Sequence, residues 1–242
     1  MRDTDFNKVK SVAKIFLYLQ VQETSTSPAV VQHPFIATGF VMLKDKEAPE
    51  GIIINVLEDK DGLRRFRNMV ESEIDKADSI FKLTYLITKP YRMVLLKHIA
   101  PYLSPADIGS YLNDTWSLVE YISMDVDVSK ADFVKLLKKS DPNTLMDESD
   151  RRALEALTDI VEIYRGVTDY NHRHVKSLSW SLDKGKARWF ANRFNQGGYV
   201  YQATIKKSDI LAYFAGRGES EVVVDPSKLE NIELIETISA SK

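Results

Sequence analysis

The chain has no cysteine. That absence excludes disulfides, thiolate metal ligands and a cysteine nucleophile, and it fits a reducing compartment. No apolar run approaches the roughly 20 residues that a membrane-spanning helix needs. The net charge is only -2 and the pI about 6.1, so no global field draws the chain to nucleic acid or to an anionic membrane, and only a local basic patch could do so. Repeats, low-complexity tracts and a dinucleotide-binding glycine fingerprint are also missing. The start, Met1-Arg2-Asp3-Thr4-Asp5, is polar and acidic rather than signal-like. A cytoplasmic protein with no membrane partner is expected.

What is present suits one large domain or two small ones: 242 residues, 44% hydrophobic and 28% charged, enough to bury a core. The pattern predicts an α+β fold. Residues 1–60 read as a small N-terminal β-rich module, with strands over 12–22, 35–43 and 51–57 and a charged turn over 44–50. From Asp59 to Ile80 the period turns helical, with Leu63, Phe66, Val70, Ile74 and Ala77 three or four apart. Lys60, Arg64, Arg65 and Arg67 read as a solvated face, since acids are interleaved, with a basic patch as the alternative. Further helices start at Pro90, at Ser104-Pro105-Ala106-Asp107, at Ser129-Lys130-Ala131-Asp132 and at Asp147. After Thr158 the order becomes strand (160–167), short strand (178–182), helix capped by Asp183, and strand (199–205). Gly197-Gly198 is too short to cradle phosphate and reads as a hairpin turn.

Near the C-terminal end, glycines flank Arg217, and Val222 to Val224 form an apolar run ended by Asp225-Pro226, a buried strand entered from an exposed turn. If the chain is extended there, Glu219 and Glu221 face one space. Their repulsion would raise one pKa unless a cation or hydroxyl lay nearby. Taken alone, the segment also reads as a hairpin tip with two solvated glutamates. His172 and His174 would share a face if they lay in a strand, but no third metal ligand accompanies them, so no metal is expected.

Three segments taken in order resemble something specific. Tyr164-Arg165-Gly166, then Ser179-Trp180-Ser181-Leu182-Asp183 leading into a helix with Ala187, Phe190 and Ala191, then Glu219-Ser220-Glu221 before a strand, resemble the arginine–serine–glutamate class of ADP-ribosyltransferases. The resemblance covers about 158–226, and Trp180 stands where the family often has a small residue. It implies a split β-sheet core over 158–242, with 61–157 as a helical lead-in to one domain spanning 61–242. It implies a mono-ADP-ribosyltransferase with NAD+ as substrate and a macromolecular acceptor. NAD+ would be held by Arg165, Gly166, Ser179, Trp180, Ser181 and Glu221. Arg165 would clamp the phosphates, and Ser179 would orient Glu221. Glu221 would stabilise the oxocarbenium-like ribose. Glu219 would polarise the acceptor, with Tyr213 or Phe214 contacting it from the loop before. A glutamate at 219 goes with protein arginine in this family; a base in RNA or DNA is the alternative, with 60–67 or Lys206-Lys207 as backbone contacts. His172 and His174 would lie near the adenosine part. An NAD+ glycohydrolase and a catalytically silent NAD-binding or interaction module share every motif. The expected setting is an intracellular toxin or anti-phage effector with a neutralising antitoxin protein as partner, and with residues 1–60 positioning a target or partner.

Overall fold

In the computed structural model, residues 3–116, apart from 26 and 28, and residues 127–240 are described. The fold is α+β, with two compact units, 1–120 and 121–242. The helical stretch that follows residue 60 is shared between them.

The first unit opens with a helix, α1 (Phe6–Leu17), where the sequence suggests a strand over 12–22. The aliphatic run of that segment imitates a strand, but its fully buried residues, Val9, Ala13 and Leu17, are four apart, and the Asp5 carboxylate caps the Lys8 amide. Two small hairpins follow, β1 (Gln22–Glu23) with β2 (Val31–Gln32) and β3 (Phe40–Leu43) with β4 (Ile52–Asn55). The β3–β4 connection is the expected charged turn. Among the described residues the unit continues with the α-helices α2 (Lys60–Lys76), α3 (Ile80–Leu86), α4 (Arg92–Ile99) and α5 (Pro105–Trp116). Asp59 and Ser104 cap α2 and α5 through Gly62 N and Asp107 N. The basic cluster at the start of α2 is largely engaged: Arg64 pairs with Asp61, Arg65 grips Asp45 with two nitrogens, and Arg67 donates to Leu19 O.

The second unit begins with α6 (Lys130–Lys139), α7 (Pro142–Leu145) and α8 (Glu148–Glu155). Ser129 and Asp132 form a reciprocal capping box on α6, and Asp147 caps α8. Then come β5 (Ile160–Thr168), β6 (Ser179–Ser181), α9 (Lys184–Asn192), β7 (Gly198–Lys206), β8 (Ile210–Phe214), β9 (Glu221–Val224) and β10 (Glu230–Ile238). They form an antiparallel sheet in the order β10-β7-β5-β6-β9-β8. Helix α9 packs on β5 and β7, while α6 and α8 pack on β8. Gly197 and Gly198 join α9 to β7 rather than turning a hairpin. An added Cβ on Gly198 would lie 2.3 Å from Ala191 O, so the two residues are needed for close approach.

The sheet is nearly divided between β5 and β6. β5 pairs with β7 along its full length, from Ile160–Lys206 to Thr168–Gly198. Its pairing with β6, among the described residues, is confined to Tyr164 with Ser181. Strand alternation then sorts β5. Val161, Ile163 and Val167 are buried on the side that also carries Arg165. Tyr164 and Gly166 face α9.

Candidate functional site

Arg165 stands at the seam where β5 and β6 part. Its Nη1 donates to the carbonyl of Ser179 on β6, so the guanidinium takes the place of a missing ladder partner. Its Nε is buried and has no acceptor among the described residues. Burial lowers the guanidinium from its ordinary value to about 10, and the Glu221 carboxylate acts against that shift. Arg165 therefore keeps its charge at neutral pH, and Glu221 is the acidic group whose field reaches it. A half-buried cation with unspent donors is an unfavourable thing to keep in a sheet unless an anion completes it.

The cross-strand register sets the other groups in one row level with Tyr164, on the face of the sheet away from Arg165, and it is the charge of Glu221 that reaches the guanidinium. Ser181 lies opposite Tyr164 on one side and opposite Glu221 on the other, and Phe214 lies opposite Glu221 in turn. Ser179, paired with Val223, is the diagonal neighbour of Glu221 on the same face. Ser181 is thus the serine directly beside Glu221. Its hydroxyl donates to Glu219 O at 2.7 Å and accepts from Asp183 N at 3.0 Å, which ties the glutamate turn to the start of α9.

Several expectations need correction. Glu219 and Glu221 are not joined by extended chain: Glu219 has φ -94° and ψ -14°, and Ser220 has φ 46°. The turn at 216–220 enters β9 through a left-handed residue, so alternation does not govern the two carboxylates. Tyr213 and Phe214 belong to β8, not to a loop. Tyr213 is 7% exposed and has little surface to offer an acceptor, whereas Phe214 is half-buried beside Glu221. Trp180 is 2% exposed and its indole N–H donates to Ser177 O at 3.0 Å, so it supports the site from within the core. Gly166 admits α9: an added Cβ would sit 1.8 Å from Ala187 O. His172 and His174 lie in a 3-10 turn, and the face they would share in a strand does not exist. No cluster of three metal-ligating side chains occurs among the described residues.

Lys130 joins the site without having been singled out by its motif. It sits at the first position of α6, donates to Lys176 O, and has its pKa lowered by burial and then by the charge of Arg165. Two cations in each other's field mark a place for an anion. Only long-range packing reveals the pair, because 35 positions of chain separate them.

The turn itself is anchored from α8. Ala215 N donates to Asp150 Oδ1 at 2.9 Å, and Asp150 is buried. The basic pair Lys206-Lys207 is partly spent, since Lys207 Nζ is held by the carbonyls of Glu155 and Leu157.

No protein-family model, no curated protein and no solved structure matches the chain.

Proposed function

We propose that the second unit is an NAD+-dependent mono-ADP-ribosyltransferase acting on a macromolecular acceptor. The reading is carried by Arg165, which grips β6 at the Ser179 carbonyl and lies within the field of Glu221, the neighbour of Ser181 across β6 and β9. The same three residue types, in the same order, make up the resemblance noted in the sequence. The residues fit NAD+: Lys130 and the unspent donors of Arg165 suit its two phosphates, and the Glu221 carboxylate, whose field reaches Arg165, suits its ribose.

Bound there, NAD+ supplies an electrophilic ribose carbon whose bond to nicotinamide breaks with the electron pair leaving on nicotinamide. Glu221 holds a hydroxyl of that ribose and balances the positive charge that develops on the sugar. Ser181 and Ser179 flank Glu221 and restrict its rotamers. Glu219 takes the proton that the acceptor loses as its nitrogen or oxygen bonds the ribose carbon. Phe214 closes the row beyond Glu221. The proposed setting is an intracellular toxin or anti-phage effector, with an antitoxin as its neutralising partner.

Labelled NAD+ incubated with the protein, and separately with cell protein or total RNA, tests this. Label transferred to an acceptor by the wild type and not by Glu221→Gln is the expected result. Glu219→Gln should lose transfer while keeping nicotinamide release. Release with no labelled acceptor would favour a glycohydrolase. Tight NAD+ binding without release would favour a silent module.

A further inference from the structure

The side of α9 that turns away from the sheet carries a chemistry that the transfer reading leaves unused. Ala187 and Ala191 are buried against the sheet, while Lys184, Arg188 and Trp189 on the helix and Arg193 and Phe194 just past its end are exposed. Trp189 is 60% exposed and Phe194 56%, although large aromatics ordinarily seek burial. The guanidinium of Arg193 stacks over the Phe194 ring at 4.6 Å, and Arg188 is steadied by Glu236 at 3.0 Å. Beside them opens a cavity of about 400 Å³ lined by Gly185, Arg188, Trp189, Asn192, Arg193 and Asn195.

Along the segment that includes α9 the charge is one-sided, with Asp183 at the helix cap and Glu236 beside Arg188 as its acidic neighbours. From Lys184 to Ser208 the sequence has six cations and no carboxylate, in a chain of net charge -2. Exposed aromatic faces next to planar guanidinium groups, with amides between them and no acid in the segment, match unstacked bases and the phosphates that join them. An apolar protein partner would need the rings but not the excess of cations. The surface also runs into the candidate site. Leu182 N donates to Ser220 O at 3.0 Å, and Lys186 Nζ lies 4.0 Å from where a Cβ on Gly218 would be.

From this we infer that the outer face of α9 binds single-stranded nucleic acid, with bases stacked on Trp189 and Phe194 and phosphates held by Arg188 and Arg193. Resting on the transferase reading above, that strand is the acceptor. A base nitrogen or ribose hydroxyl then forms the new bond to the ribose carbon, nicotinamide leaves with the bonding pair, and the acceptor's proton passes to Glu219.

The test is fluorescence anisotropy of the full chain with labelled oligo-uridine and oligo-deoxythymidine across a salt series, beside nicotinamide release by the same preparation without acceptor. Salt-sensitive binding is expected. Trp189→Ala should weaken it about tenfold, the loss of one stacked base. Arg193→Ala should make the log–log salt slope shallower by about 0.7, one phosphate contact on a single strand. Phe81→Ala, in the other unit, should change nothing. Tighter binding of the uridine strand would name RNA as the ligand, and equal binding a readout common to RNA and DNA. Nicotinamide release with no oligonucleotide bound, or binding untouched by both the Trp189 and Arg193 changes, would overturn this inference and leave the transferase standing. Oligonucleotide binding without nicotinamide release would sustain the binding face and defeat the transferase reading. Label on protein arginine alone would defeat the acceptor assignment.

Discussion

Gly166 has the backbone of α9 where a side chain would stand. A Cβ there would lie 1.8 Å from Ala187 O and 2.7 Å from Ala191 N, distances that no rotamer can relieve because both atoms are main chain. The glycine beside Arg165 is therefore a packing requirement that also fixes Arg165: with residue 166 turned to α9, alternation turns residue 165 to the opposite side. Gly166→Ala must push α9 off β5, an overpacking that costs roughly 1–3 kcal/mol or more. Thermal melts should show that loss. The Arg165 to Ser179 contact should loosen with it, so NAD+ turnover by the surviving folded fraction should fall as well. A variant that melts with the wild type would mean that the helix moves freely, and the packing account would fail.

At the scale of elements, the turn over 215–218 depends on α8. Asp150 Oδ1 receives Ala215 N–H. Burial raises the Asp150 carboxyl above its ordinary 3.8, the Ala215 hydrogen bond opposes the shift, and Asp147 adds to it. The folded chain thus binds this proton more tightly than the unfolded chain. Its contribution to stability falls as pH rises from about 3.8. Asp150→Asn keeps an oxygen for Ala215 without the charge and should melt at or above the wild type at pH 7. Asp150→Ala leaves the Ala215 amide without its acceptor, a loss of about 1–3 kcal/mol, and should speed hydrogen exchange across 215–218. Equal exchange in both variants would show that α8 does not hold the turn.

The same elements show what a sequence exposes and what it hides. The starts of α2, α5, α6, α8 and α9 were legible because Asp59, Ser104, Ser129, Asp147 and Asp183 each cap a neighbour two or three residues on, a purely local event. β9 was legible from three adjacent valines. α1 was misread because its apolar residues outnumber the buried ones, so that alternation and a four-residue spacing compete in one stretch. β8 and β10 were missed, and so was the register that puts Ser181 beside Glu221, because pairing partners lie up to 44 residues apart and leave no local mark. The left-handed Ser220 hid for a different reason: glycine would have advertised that conformation, and serine does not.

For the whole molecule, acid should act unevenly on the two units. His33, in the first, is 1% exposed, and its Nδ1 accepts the Phe35 amide at 3.1 Å. Burial, then the charge of Arg67, pushes its imidazole down to about 4 from 6.5. The unfolded chain therefore takes up a proton near pH 6.5 that the folded unit refuses until about pH 4. Stability falls as pH drops through that window, by roughly 3 kcal/mol in total for a group shifted this far. In the second unit Asp150 drifts the opposite way over the acid end of the range. Hydrogen exchange at pH 7 and pH 5 should accordingly show α4 and α5 losing protection well before β5 and β7. His33→Asn, which keeps an acceptor for Phe35 without a titrating ring, should remove most of that difference. If wild type and His33→Asn lose protection in the first unit with the same pH dependence, the buried imidazole is not the cause, and the acid sensitivity must come from carboxylates such as Asp45, whose pairing with Arg65 holds it down to about 2.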